Sequence, residues 1–116
     1  HDASSMPCNL MLHMSTLGGA QALGLDSEIG SLEAGKKADI ILIDLMAPHL
    51  WPIFRGPGTN AVEQLVYSAN AADVRTTIVD GRVLMEDRQV TTLDLLEVFG
   101  AAQEAATDLA QRAGLL

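Results

Sequence analysis

The sequence is poor in several residue types, and each shortage excludes a class of protein. Aromatic residues make up only 3% of its 116 positions, so a core has to be built from aliphatic side chains. A single cysteine, Cys8, excludes a disulfide within the chain and favours a reducing, cytoplasmic setting. No apolar run approaches the roughly 20 residues that span a bilayer, and no basic region precedes an apolar stretch, so we expect neither a membrane span nor a signal peptide.

Basic residues are also scarce. Seven Lys and Arg stand against fifteen Asp and Glu, which gives a formal net charge of -8. Binding to a phosphate backbone needs clustered positive charge, so nucleic acid is not an expected partner. An anionic membrane surface would repel the chain for the same reason.

The composition is that of a globular protein, with 48% hydrophobic and 19% charged residues. The length suits one domain. Apolar residues at steps of three or four predict a helix over 10–23, with Gly24 at its C-terminal cap. Gly18 and Gly19 interrupt this helix, which indicates a close approach to a neighbouring element.

The middle of the chain alternates between strand-like and irregular segments. A short strand is predicted over 29–32, a turn over 34–37, and a buried strand over Ile40–Ile43. Residues 45–60 hold three of the four prolines, and a loop this long usually binds something or is mobile. Thr59 or Asn60 is a candidate cap for the short helix that follows.

The clearest local pattern is a hairpin. Two β-type runs flank Asp80 and Gly81, a pair that favours a type I′ turn, and a further turn over 86–88 leads into a third strand. Thr91 and Asp94 form an acidic variant of a capping box, and an amphipathic helix is predicted over 93–112. The predicted fold class is therefore α+β.

Three segments resemble the amidohydrolase superfamily of metal-dependent hydrolases. Residues 29–44 (IGSLEAGKKADIILID) are similar to that family's pattern GSLEPGKKADLVLLD, and residues 15–25 (STLGGAQALGL) are similar to ATLGGARALGL. Residues 74–90 are similar to VDTVIVDGKVVVEDGRV. The three matches come in the family's order and cover roughly residues 12–95. The closest likeness is to the branch that deaminates or dechlorinates nitrogen heterocycles, such as S-adenosylhomocysteine, guanine and s-triazine hydrolases.

The resemblance implies a division of the chain. Residues 1–25 would be the last loop and helix of a metal-bearing barrel. Residues 26–116 would be part of a small β-sandwich, completed elsewhere, and a terminal amphipathic helix. The parent enzyme would use zinc or iron to activate water against a C–N or C–Cl bond of a small heterocyclic substrate.

Asp2 is the one position that matches a catalytic residue of the family, the metal-binding Asp after the last barrel strand. The alternative interpretation of Asp2 is a solvated terminal acid. The family's HxH pair is missing, and His1, His13 and His49 lack the spacing of metal ligands. We therefore expect the chain alone to bind no metal and to lack a complete active site.

The other candidates have plainer interpretations. His1 is expected to be a terminal or tag-derived residue, and His13 a partly exposed packing residue. Cys8 has no evident base to make it a nucleophile. His49 is a loop residue that could approach a partner surface. Trp51 and Phe54 could equally form an interaction patch or cap the core.

Two hypotheses of different classes follow. The chain is either the C-terminal portion of an amidohydrolase or a non-catalytic structural module descended from one. The module would self-associate, because parting from the barrel would uncover apolar faces and strand edges. The expected partner is accordingly a second copy or the missing barrel portion.

Overall fold

The computed structural model describes residues 6–115, and it begins with two short helices where one was predicted. Helix α1 spans Cys8–Ser15 and helix α2 spans Leu17–Leu23. The prediction of one helix over 10–23 is wrong because the chain turns at Thr16, which has φ −117° and ψ −99°. The Thr16 hydroxyl donates to the Leu12 carbonyl at 2.8 Å, the acceptor that the Thr16 backbone N–H would use in a continuous helix.

Glycines mark the boundaries and contacts of α2. A Cβ on Gly18 would lie 3.2 Å from the His13 carbonyl oxygen, so the predicted close approach is confirmed. Gly24 ends α2 in the left-handed conformation, with φ 70° and ψ 25°, as predicted.

The strand predicted over 29–32 is absent, and Gly30 shows why. Its φ of +90° is unfavourable for residues with a side chain, and its backbone lies against α2. A Cβ at this position would come within 2.7 Å of the Ala20 Cβ. The segment therefore follows the surface of α2 rather than pairing with a strand. The turn predicted over 34–37 is present, with φ +94° at Gly35.

Four antiparallel strands form one sheet. They are β1 (Ile40–Ile43), β2 (Val74–Val79), β3 (Arg82–Glu86) and β4 (Gln89–Val90), and they neighbour each other in that order. Ile40 pairs with Ile78, which in turn pairs with Val83.

The predicted hairpin between β2 and β3 is confirmed. Asp80 and Gly81 have φ angles of 49° and 76°, as a type I′ turn requires. The predicted turn before the last strand is also present, because Asp87 and Arg88 take left-handed conformations and β4 follows them.

The expected burial of β1 is wrong. Ile41 and Leu42 are each 53% exposed, although successive side chains of a strand point to opposite faces. Both faces of β1 are thus open to solvent, because among the described residues no helix makes more than marginal contact with the sheet. Helices α1 and α2 instead form a separate cluster with a later helix, α3 (Ala61–Tyr67), in which α1 contacts both of the others.

The segment 45–60 is irregular apart from one 3-10 turn, Pro48–Leu50, and it leads into helix α3 (Ala61–Tyr67). Asn60 directly precedes α3, but its side chain makes no capping hydrogen bond to the helix, whereas the hydroxyl of Thr59, the other candidate cap, accepts the Ala61 N–H at 3.3 Å. The Asn60 side chain reaches back across the loop instead, where Oδ1 accepts the Phe54 N–H at 2.8 Å and Nδ2 donates to the Pro52 carbonyl at 2.9 Å.

Helix α4 (Leu95–Arg112) is the last helix of the described residues. Its cap is Asp94, whose Oδ1 accepts the N–H groups of Leu96 and Glu97. The predicted capping role of Thr91 is wrong, because its hydroxyl donates to the Val83 carbonyl at 2.9 Å instead. The apolar face of the helix is uncovered, and Phe99 is 62% exposed.

The described residues bury few side chains. Ala20 and Leu50 are the buried hydrophobic residues, and Asp73 is the buried charged one. The radius of gyration is 19.4 Å, whereas a compact domain of this length has about 13 Å. The architecture is α+β, as predicted, with a helix cluster, a small sheet and a terminal helix that share little interior.

Candidate functional site

A polar cluster joins the long loop to the start of β2. His49 lies on the 3-10 turn Pro48–Leu50, and Asp73 ends a second 3-10 turn, Ala71–Asp73, directly before β2. His49 Nε2 lies 2.9 Å from Asp73 Oδ2. The same carboxylate oxygen accepts the Asn70 backbone N–H at 2.8 Å. Two segments distant in sequence therefore meet at one buried carboxylate.

Asp73 is 4% exposed and is held in its ionised form. The backbone N–H of Asn70, followed by the His49 ring, lowers the pKa of the Asp73 carboxyl below its ordinary value. A buried carboxylate is costly unless hydrogen-bond donors surround it, and these two donors supply that environment.

An arginine extends the cluster to β1. Arg88 Nε donates to the Ala72 carbonyl at 3.0 Å, and its terminal nitrogen donates to Asp44 Oδ2 at 3.1 Å. The Met46 backbone N–H and the Arg88 guanidinium lower the pKa of Asp44. The cluster thus connects the end of β1, the start of β2 and the turn before β4.

The candidate residues within the described part of the chain, Cys8, His13 and His49, form no common site. Asp2 and His1 lie outside the described residues. His13 is exposed near the end of α1, where its ring approaches Gly18, whereas His49 lies in the polar cluster. Cys8 begins α1, half-buried, and its contact with Tyr67 raises the pKa of the tyrosine hydroxyl.

The described residues do not fit a zinc or iron site. Such a site needs at least three convergent ligands, and within residues 6–115 no group of three His, Cys, Asp or Glu side chains is placed to hold a metal. His49 contributes one nitrogen and Asp73 one buried carboxylate, but the two bind each other. No catalytic step through a metal is therefore derived from this part of the chain.

Trp51 and Phe54 lie on an exposed apolar surface of the long loop. They are 52% and 57% exposed, which argues against a role in capping the core. A shallow concave surface joins them to Met46 and Ile53. The hydrogen bonds of Asn60 to this loop fix its shape.

Sequence reasoning missed Asp73, Asn70, Arg88 and Asp44. A local signal exists for the first two, because Asn70-Ala-Ala-Asp73 has the spacing of a capping box. No local signal exists for Arg88, whose partners Ala72 and Asp44 are 16 and 44 residues away along the chain.

Comparison with known proteins is consistent with the resemblance found in the sequence. The profile of the amidohydrolase family matches residues 2–84. The chain belongs to the amidohydrolase family. Within the part that the structure covers, no helix is both long enough and apolar enough to cross a membrane.

Relatives of known activity include two kinds of deaminase. A 5-methylthioadenosine/S-adenosylhomocysteine deaminase of Thermoanaerobacter pseudethanolicus is 42% identical over 97% of this chain and 25% of its own length. A 5'-deoxyadenosine deaminase of Methanosarcina mazei is 47% identical over 94% of this chain and 24% of its own length. The chain spans about a quarter of the length of the curated relatives it matches.

Two solved structures with bound zinc share the fold of this chain. An adenosine deaminase from Xanthomonas campestris with bound zinc superposes with a TM-score of 0.83 and 29% identity, over 95% of this chain and 24% of that one. A zinc complex of the atrazine chlorohydrolase from Arthrobacter aurescens superposes with a TM-score of 0.70 and 23% identity, over 85% of this chain and 20% of that one.

Proposed function

We propose that this chain is the C-terminal part of a metal-dependent amidohydrolase that removes an amino group from a nitrogen heterocycle, with 5'-modified adenosines as the substrate class. The observation that carries the proposal is the match to two such deaminases, at 42% and 47% identity, over nearly the whole chain. Hydrolysis of a C–Cl bond is the variant reaction, suggested by the likeness of fold to the chlorohydrolase.

The described residues have a structural part in this proposal. Helices α1 and α2 would close the end of the metal-bearing barrel, and the four-stranded sheet would form part of a small β-sandwich. The exposed apolar side chains on both faces of β1 support this role, because each face would be covered by another layer in the complete enzyme. Zinc or iron would belong to the complete enzyme.

Asp2 is the one residue of this chain proposed to act at the metal. It would bind the metal and hold the proton of the attacking water, as the family's last-strand Asp does. The support is its place at the start of the family match, which begins at residue 2.

Complementation tests the proposal directly. The chain would be produced alone and together with the preceding three quarters of the Thermoanaerobacter deaminase, and ammonia release from 5'-deoxyadenosine and S-adenosylhomocysteine would be measured. We expect metal-dependent activity only in the combined sample. Asp2→Asn should lower that activity more than about 100-fold. Replacing a residue that only hydrogen-bonds to a metal ligand already lowers metal affinity or activity by about 10–100-fold, and a ligand itself should matter more. Asp26→Asn, at an exposed acid, should leave it unchanged.

Two results would contradict the proposal. One is stoichiometric metal and deaminase activity in the chain alone, which would give it a complete site. The other is a combined sample that assembles and binds zinc but releases no ammonia from either nucleoside.

The second candidate is a non-catalytic module that self-associates. The uncovered face of α4 favours it, because Leu96, Phe99 and Leu109 are 81%, 62% and 63% exposed, and large exposed apolar patches mark interaction sites. Sedimentation of the purified chain distinguishes the two candidates. A folded, metal-free oligomer that does not bind the added barrel portion would support the self-associating module. It would exclude the proposal that the chain is part of an amidohydrolase.

A further inference from the structure

The contact between His49 and Asp73 lies at the point where the long loop meets the sheet. Leu50, the next residue after His49, is fully buried, and Trp51 follows it with its side chain half exposed. The backbone N–H of Leu50 donates to the Ala47 carbonyl at 3.0 Å, and that of Trp51 to the Pro48 carbonyl at 3.3 Å. The ring of His49 is thus well placed to hold this turn in position.

The hydrogen-bond partners decide which ring nitrogen of His49 carries the proton. The Asp73 carboxylate is ionised and can only accept, so Nε2 must present a hydrogen to it. Asn70 Nδ2 lies 3.2 Å from Nε2, but it cannot donate to a nitrogen that is itself a donor. The Asn70 amide is not free to flip, because its Oδ1 accepts the Ala72 N–H at 2.9 Å.

We propose that His49 and Asp73 form a latch, in which the Nε2–H of His49 bonds to Asp73 and holds the turn Pro48–Leu50, and with it Leu50 and Trp51, against the start of β2. This inference does not depend on the proposed function. The latch gives the apolar loop surface around Trp51 a fixed shape. Whatever packs on this surface would then bind a preorganised loop and would not have to order it.

The geometry also fixes how the latch responds to pH. The side chains that act on this carboxylate are His49 and Arg88, and Arg88 is itself paired with Asp44. None of them removes the Nε2 hydrogen, and only neutralisation of Asp73 weakens the latch.

Amide hydrogen exchange of Leu50 and Trp51, measured by NMR on the whole chain, tests the latch. His49→Gln can place an N–H donor close to the position of Nε2, whereas His49→Phe keeps a planar ring without a donor. We expect His49→Phe and Asp73→Ala to raise the hydrogen-exchange rate of both amides by at least about tenfold. His49→Gln should keep most of the protection of these two amides against exchange. His13→Phe, at an exposed histidine, is the matched control and should change neither amide.

A second measurement separates the latch from a packing role of the ring. In the unmodified chain a slowly exchanging Nε2–H proton of His49 should be visible in water and should disappear in Asp73→Ala. Equal acceleration in His49→Gln and His49→Phe would show that packing alone matters and would overturn the proposal. So would an Nε2–H signal that survives Asp73→Ala.

Discussion

The close approach of Gly30 to helix α2 yields a quantitative prediction for Gly30→Ala. The backbone at Gly30 has φ +90°, a conformation that costs a residue with a Cβ about 1–2 kcal/mol. The new methyl group would also lie 2.7 Å from the Ala20 Cβ and 3.0 Å from the Leu17 Cα. Neither atom belongs to a flexible side chain, so overpacking adds about 1–3 kcal/mol. The free energy of unfolding should therefore fall by about 2–5 kcal/mol.

A matched glycine separates the two contributions. Gly35 has nearly the same φ, +94°, but a Cβ built on it has no neighbour within 4 Å. Gly35→Ala should therefore show the conformational cost alone, about 1–2 kcal/mol. Urea denaturation followed by far-UV circular dichroism measures both variants. Equal losses in the two would refute the steric part of the reasoning.

A double variant tests which atom makes the contact. Ala20→Gly removes the methyl group that lies nearest to the new Cβ, at the cost of about 1 kcal/mol in helix propensity. The combined variant Ala20→Gly with Gly30→Ala should be more stable than the two single losses predict, by about 1 kcal/mol or more. Strict additivity would mean that the strain comes from the Leu17 and Thr16 backbone instead.

The remaining predictions concern the core, α4 and the polar cluster. Leu50→Ala should lower the free energy of unfolding by about 2–5 kcal/mol, because Leu50 is fully buried. Leu32→Ala, at a residue 78% exposed, should change it by no more than about 0.5 kcal/mol. Similar urea midpoints for the two variants would contradict this. Gly100→Ala adds a methyl group into open space within α4 and should raise helicity, with a gain of up to about 1 kcal/mol; unchanged circular dichroism would count against an ordered α4. The lowered pKa of Asp73 means that its stabilising effect is complete above the pKa of an unfolded Asp and is lost as pH falls through the lower folded value. Urea midpoints below about pH 4 should therefore fall more steeply in the unmodified chain than in Asp73→Asn, and parallel curves would contradict the assignment.

Features encoded by neighbouring residues were predictable from the sequence. The turn at Asp80 and Gly81 depends on two adjacent residues that tolerate positive φ, and it is where the pattern places it. The left-handed cap at Gly24 follows from the same kind of local preference. These features need no knowledge of the tertiary structure, so the sequence alone predicts them.

Features that depend on distant contacts were not predictable. The run 29–32 has strand-like residues, but the packing of Gly30 against Ala20 decides its conformation. The polar cluster joins His49 to Asp73 across 24 positions, and neither residue carries a spacing that indicates the other. Asp2, the one predicted catalytic residue, stays a prediction because it lies outside the described part of the chain.

The strand β1 shows best how sequence and structure together support the proposed function. Four consecutive apolar residues, Ile40–Ile43, are typical of a strand buried on both faces. In the structure β1 is an edge strand, and Ile41 and Leu42, which point to opposite faces, are both half exposed. A strand in a two-layer module would need only one apolar face, and the other would carry polar residues. The composition of β1 is therefore better suited to a middle layer within a larger enzyme than to a free-standing module.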